Sequence, residues 1–202
     1  MSELAAAPLA CSGLTAYSAL LKARVDLIKE PLVIIGAGGL GLMALALLKL
    51  MDGNAAVLIE PDPVKRKVAL QMGAIGAFDP AAVADGSATA GLGDGAAAVL
   101  DFVGSPASIA QGVTMLRKGG RLIMVGMYGG ELSLPIPTLV LRAISLEGSY
   151  VGSLAQMREL MALVKRKGIP EIPIVPRPLS EINDAIAQMR EGGVVGRTVL
   201  QP

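Results

Sequence analysis

Apolar and polar positions along the chain fall into blocks that take turns: short apolar runs, then longer apolar or amphipathic stretches. Leu32–Ile35, Ala55–Ile59, a short piece within Gly73–Pro80, Ala96–Val103, Arg121–Val125 and Ala143–Tyr150 read as six strands. Leu42–Met51, Val64–Met72 and Ala107–Leu116 read as helices between them. Asp52-Gly53-Asn54 reads as a turn before the second strand, and Lys118-Gly119-Gly120 as the stop before the fifth. Ala81–Gly95, rich in Ala, Gly and Asp, reads as weak helix and loop, and Glu131–Arg142 as irregular chain with a short helical piece. Leu154–Lys167 reads as a helix with Ser153 as N-cap and Gly168 as its stop. Strands alternating with helices predict an α/β Rossmann-type fold, a doubly wound parallel sheet of about six strands in the order 3-2-1-4-5-6.

The flanks break this rhythm. Residues 1–30 read as an N-terminal arm: a loop at Pro8–Gly13, then a helix over Leu14–Val25. Residues 31–169 form the Rossmann unit. Residues 170–202 read as a β-α-β tail: a proline-rich Ile172–Pro178, a helix capped by Ser180 and running to Met189, and a last strand at Gly196–Leu200.

The densest signal is Pro31–Glu60. Gly36-Ala37-Gly38-Gly39-Leu40-Gly41 fits G-x-G-x-x-G between a strand and a helix. The first glycine allows the tight turn, the second lets backbone approach a diphosphate, and the third lets the helix pack on the strand. The exposed N–H groups and the positive end of the helix dipole then face an anion. Glu60 lies 19 residues past Gly41, at the end of the next strand, where a carboxylate accepts ribose hydroxyls. Two other readings stand beside this one: a membrane span over the apolar Pro31–Met51, and a glycine turn that is only structural.

Composition narrows the class. Of 202 residues, 52% are hydrophobic, 17% charged and 2% aromatic. That predicts a core of Leu, Ile, Val, Ala and Met beneath helices on both faces of a sheet. A net charge of +1 argues against a nucleic-acid surface or a polybasic membrane anchor. One cysteine and an N-terminus without a leader pattern point to a cytoplasmic protein. There is no histidine, which rules out a Ser-His hydrolase. No tyrosine has a lysine four residues later, as a short-chain dehydrogenase needs.

Taken together, these stretches resemble the coenzyme-binding part of a zinc-type, medium-chain alcohol dehydrogenase. The residues that carry the likeness are Pro8–Tyr17, the GAGGLG turn, the IEPDPVKR stretch, Gly119-Gly120-Arg121, Leu146–Ser149 and Gly196–Val199. The resemblance implies NAD as cofactor, with Gly36, Gly38, Gly39, Leu40 and Gly41 at its diphosphate. It places Glu60 at the adenosine ribose with Lys65 beside it, Val103, Gly104, Val125, Gly126 and Met127 along the dinucleotide, Thr15 near the nicotinamide and Arg197 near the diphosphate. Lys65 and Arg197 also read as ordinary surface cations. Cys11 matches the position of a late ligand to the catalytic zinc, and also reads as a small buried hydrophobe. The family's first zinc ligands, its His-Glu pair and its proton relay have no counterpart here.

The resulting expectation is a fragment of an NAD-dependent alcohol dehydrogenase that binds NAD without turnover. An alcohol or carbonyl substrate and zinc would belong to the full enzyme, and residues 170–202 would pack on its catalytic domain. A zinc-free quinone or enoyl reductase is the alternative enzyme, though Glu60 opposes its usual NADPH. A nucleotide-binding or dimerisation module is the non-enzymatic alternative. A homo-oligomer formed through the edge strand near residues 145–151 is expected from the resemblance and from the physics of an open edge.

Overall fold

Six strands, β1 (Leu32–Ile35), β2 (Val57–Ile59), β3 (Gly76–Phe78), β4 (Ala96–Asp101), β5 (Leu116–Met124) and β6 (Ser145–Gly148), form one sheet in the order β3-β2-β1-β4-β5-β6. Each neighbouring pair is parallel. The computed structural model describes residues 1–53 and 56–202. Asn54 and Ala55, expected in the turn and at the start of the second strand, lie outside the described residues.

The helices are α1 (Glu3–Ala6), α2 (Ser12–Ala23), α3 (Gly39–Leu50), α4 (Pro63–Gln71), α5 (Ala81–Ala84), α6 (Pro106–Met115), α7 (Ile136–Arg142) and α8 (Leu154–Lys167). Side chains of β1 alternate between two cores, as the pleat requires. Leu32 and Ile34 join Leu20 of α2, Leu42 and Leu47 of α3 and Leu160 of α8. Val33 and Ile35 join Val113 of α6 and Leu122 on the opposite face. Full burial of each such aliphatic side chain contributes roughly 1.5–3 kcal/mol. The apolar Pro31–Met51 window therefore divides into a strand and a buried helix of 12 residues. No single helix among the described residues is long and apolar enough to cross a membrane.

The tail is a separate parallel pair, β7 (Ile174–Pro178) and β8 (Arg197–Gln201), joined through α9 (Ile182–Arg190). It has the expected β-α-β order.

Three local expectations are corrected. Lys118-Gly119-Gly120 does not separate helix from strand, because α6 ends at Met115 and β5 starts at once. Residues 117–120 fall between the paired positions Leu116 and Arg121, and Gly119 takes φ +75, a conformation open to glycine. Ser180 does not cap α9. It sits inside a 3-10 turn over Leu179–Glu181, and α9 starts at Ile182 with no side-chain cap. The edge strand is shorter than Ala143–Tyr150, because Ala143 adopts the left-handed conformation that closes α7.

Candidate functional site

The turn between β1 and α3 is built on steric necessity. Gly36 has φ +92, which side-chain-bearing residues rarely adopt. A Cβ on Gly41 would overlap the carbonyl oxygen of Gly36. Gly38 is different: it is the N-cap of α3 in an ordinary extended conformation, and a Cβ there meets nothing within 4 Å. Open space therefore stands before the start of α3, whose first N–H groups have no partner within the helix. That is the geometry of an anion cradle.

Glu60 follows the last residue of β2 and is buried, 7% exposed. Its Oε2 accepts a hydrogen bond from the Ala37 N–H at 2.7 Å, and its Oε1 accepts one from the Asp62 N–H at 3.0 Å. Two backbone donors thus hold the carboxylate at the rim of the glycine turn. Each oxygen keeps acceptor capacity for a further donor. Behind it, Arg66 donates to the Glu60 carbonyl at 2.7 Å. Lys65 reaches the same cavity with its ammonium 3.9 Å from Asp62 Oδ2.

Arg197, the first residue of β8, lies over the start of α3. A Cβ on Gly39 would run into its guanidinium and into the Gly196 carbonyl. The Arg197 Nε is buried without a hydrogen-bond partner. Burial draws its pKa down from the ordinary value, and the nearby Cys11 side chain opposes that shift. An unpartnered guanidinium facing the positive end of a helix is unfavourable until an anion sits between them.

These groups share one cavity of about 540 Å³. Gly36, Gly38, Gly39, Leu40, Gly41, Glu60, Lys65, Val103 and Arg197 all line it. Ile182, Ala185, Ile186 and Met189, on one face of α9, form its apolar wall. Thr15, Gly104, Val125, Gly126 and Met127 stand outside this wall. Thr15 is buried in α2, Val125 is buried after β5, and Met127 is 80% exposed. Gly104 and Gly126 touch backbone to backbone: a Cβ on either would overlap the other's turn. The ends of β4 and β5 are thereby locked together beside the cavity.

Cys11 is exposed, just after the 3-10 turn over Ala7–Ala10 that packs against β8. The chain has no histidine, and no group of three His, Cys, Asp or Glu is placed to hold a metal among the described residues. A catalytic zinc takes three protein ligands. The donor set of the described residues does not fit that metal by itself.

Residues 39–166 match the family described as zinc-binding dehydrogenase. The chain belongs to the zinc-binding dehydrogenase family. An NAD-dependent alcohol dehydrogenase of Sulfurisphaera tokodaii is 31% identical over 204 residues, covering 100% of this chain and 59% of that protein. One of Sulfolobus acidocaldarius is 33% identical over 208 residues, covering 100% and 58%. The crystal structure of an alcohol dehydrogenase from Aeropyrum pernix superposes with a TM-score of 0.85 at 36% identity, covering 97% of this chain and 57% of that one. This zinc-binding dehydrogenase chain thus spans under three-fifths of the length of these relatives, and corresponds to their C-terminal, coenzyme-binding part.

Two parts of this dehydrogenase site escape a reading of the sequence. The α9 wall shows only as an apolar stripe at helical spacing, Ile182, Ala185, Ile186 and Met189, with nothing to say what it faces. Asp101, the last residue of β4, shows only as a charge inside the apolar run Ala96–Val103. In the fold it is fully buried and organises the turn that carries Val103 and Gly104.

Proposed function

We propose that the chain binds NAD in the cavity between the glycine turn and α9, as the coenzyme-holding part of an alcohol dehydrogenase. What carries this reading is that one cavity holds an open helix start, a backbone-held carboxylate and a half-buried arginine whose Nε has no hydrogen-bond partner. The first N–H groups of α3 and the Arg197 guanidinium bind the diphosphate. Glu60 accepts the hydroxyls of the adenosine ribose, with Lys65 at its flank. The α9 face excludes water from that half of the cofactor. Val103, Gly104, Val125, Gly126 and Met127 line the other half, where Thr15 approaches the nicotinamide. Bound NAD supplies a nicotinamide C4 that takes hydride from an alcohol carbon; the chain's own part is to hold and orient it.

Residues that complete alcohol oxidation belong to the longer enzyme, and the chain by itself binds without turning over. Glu60 selects NAD over NADP, since a carboxylate beside a 2′-phosphate is a like-charge clash while ribose hydroxyls donate to it. Self-association runs through the free edge of β6. No strand pairs with that edge among the described residues, and exposed Ile136, Val140, Leu141 and Tyr150 lie beside it in sequence.

Calorimetric titration of the chain with NAD and with NADP tests the cofactor reading. NAD is expected to bind at least about tenfold more tightly, corresponding to about 1.4 kcal/mol. Equal or tighter binding of NADP, or no binding of either, would refute it. Light scattering that gives a monomer mass would refute the edge association.

A further inference from the structure

We infer that Asp101 sets the balance between the two redox forms of the cofactor, by holding a buried negative charge beneath the nicotinamide half of the groove. This rests on reading the groove as a dinucleotide site.

The direction follows from the sheet. β2, followed by Glu60, lies on one side of β1, and β4 lies on the other. A dinucleotide with its diphosphate at the glycine turn and its adenosine ribose on Glu60 therefore extends its other half across the ends of β4 and β5. Asp101 pairs in register with Ile35, the last residue of β1, so it stands at that crossing.

Asp101 is 0% exposed. Its Oδ1 accepts from the Val103 N–H at 2.8 Å and the Gly104 N–H at 3.1 Å, and its Oδ2 accepts from the Ser108 hydroxyl at 2.8 Å. Among the described residues no cationic side chain pairs with it. Its charge is met by dipoles alone, and two of them belong to the turn that starts at Val103, a lining residue of the cavity. A buried carboxylate without a counter-ion is costly, and an asparagine carbonyl would satisfy the same two N–H groups.

A nicotinamide ring carries one positive charge when oxidised and none when reduced. A fixed, uncompensated negative charge nearby stabilises the oxidised ring selectively. Because the charge is buried, added salt screens it weakly. Asp101 is thus a positioning residue for the turn and a charge that favours NAD+ over NADH.

The test compares NAD+, NADH and ADP-ribose, titrated calorimetrically into the chain and into Asp101→Asn. The variant keeps the size and one acceptor and removes the charge. NAD+ affinity is expected to fall roughly three- to tenfold, with NADH and ADP-ribose changed by less than about twofold. An equal loss for all three would make Asp101 a structural strut only and overturn the inference. Ser108→Ala keeps the charge, so its NAD+/NADH affinity ratio is expected to stay at the unmodified value; a shift matching that of Asp101→Asn would overturn the charge account. If Asp101→Asn does not fold, the unmodified chain still decides. Because the charge is buried, the NAD+/NADH affinity ratio is expected to change by less than about twofold between low and high salt, and a ratio that falls steeply with added salt overturns the inference. Failure of all three ligands to bind the unmodified chain refutes the dinucleotide reading itself.

Discussion

The Oε2 atom of Glu60 accepts a hydrogen bond from the amide of Ala37 across 2.7 Å. This ties the acid after β2 to the glycine turn after β1, so the two halves of the proposed adenosine-diphosphate site share one anchor. Glu60→Gln removes the charge and leaves one acceptor for two backbone donors. Charge-assisted hydrogen bonds are worth about 1.5–3 kcal/mol, so NAD affinity is expected to fall about tenfold or more while NADP gains relative to it. Parallel titrations with both cofactors check this; an unchanged NAD/NADP ratio would remove Glu60 from the selection of cofactor.

Gly38 and Gly41 separate binding from stability. Alanine at Gly41 forces its methyl into the Gly36 carbonyl, and is expected to cost about 3 kcal/mol or more, seen as a lower urea midpoint. Alanine at Gly38 meets no neighbour within 4 Å, so the midpoint should move by less than about 1 kcal/mol. Its methyl instead enters the open space proposed for a diphosphate, and dinucleotide binding is expected to be lost.

Arg197→Met replaces a half-buried guanidinium, whose buried Nε has no partner, by an apolar chain of similar reach. The free protein is expected to keep its unfolding free energy or gain up to about 1 kcal/mol, because an unpartnered charge leaves a half-buried site. ADP-ribose affinity is expected to drop at least about tenfold, since a bidentate anion partner is gone. Denaturation and titration of the same variant check both signs; a large loss of stability would mean that Arg197 supports the free fold instead.

Tyr17 gives the chain an alkaline limb. Its hydroxyl donates to Glu159 Oε2 at 3.4 Å, between α2 and α8. Burial raises its pKa first, the Glu159 charge adds to the rise, and Arg166 opposes it. A raised phenol pKa means that the unfolded chain loses its proton earlier. The stability linked to Tyr17 is therefore complete below the ordinary value of about 10 and is lost as pH rises through the folded value. Melting temperatures from about pH 8 to about pH 11 should fall more steeply for the unmodified chain than for Tyr17→Phe.

What could be read in advance divides along the range of the interactions. The glycine turn was legible because Gly36 and Gly41 answer to atoms a few residues away. The strand order was legible because alternation of strands and helices leaves few right-handed ways to wind a parallel sheet. The start of β5 was not, because Gly119 and Gly120 can end a helix or sit in an irregular strand equally well, and only pairing with β4 decides. Ser180 suits a cap by type, but a 3-10 turn over Leu179–Glu181 already holds it inside helical chain. The α9 wall and the Asp101 hydrogen bonds depend on segments brought together by the tertiary fold, which residue spacing does not encode. Thr15, Val125, Gly126 and Met127 stand outside the cavity for a related reason: likeness of motif places a residue in the chain, while a cavity wall depends on what the tail covers.

Arg197 and Gly196 rest on Gly39, more than 150 residues earlier in the chain. The sheet and its glycine turn are complete without them, so during synthesis the anion cradle can form while the α9–β8 segment is still to come. Folding that proceeds from the N-terminal side therefore yields first an open shelf and only later a covered groove. Of these parts the Arg197 side chain reaches its place last, so the groove proposed for the cofactor is closed only once the α9–β8 segment has been made.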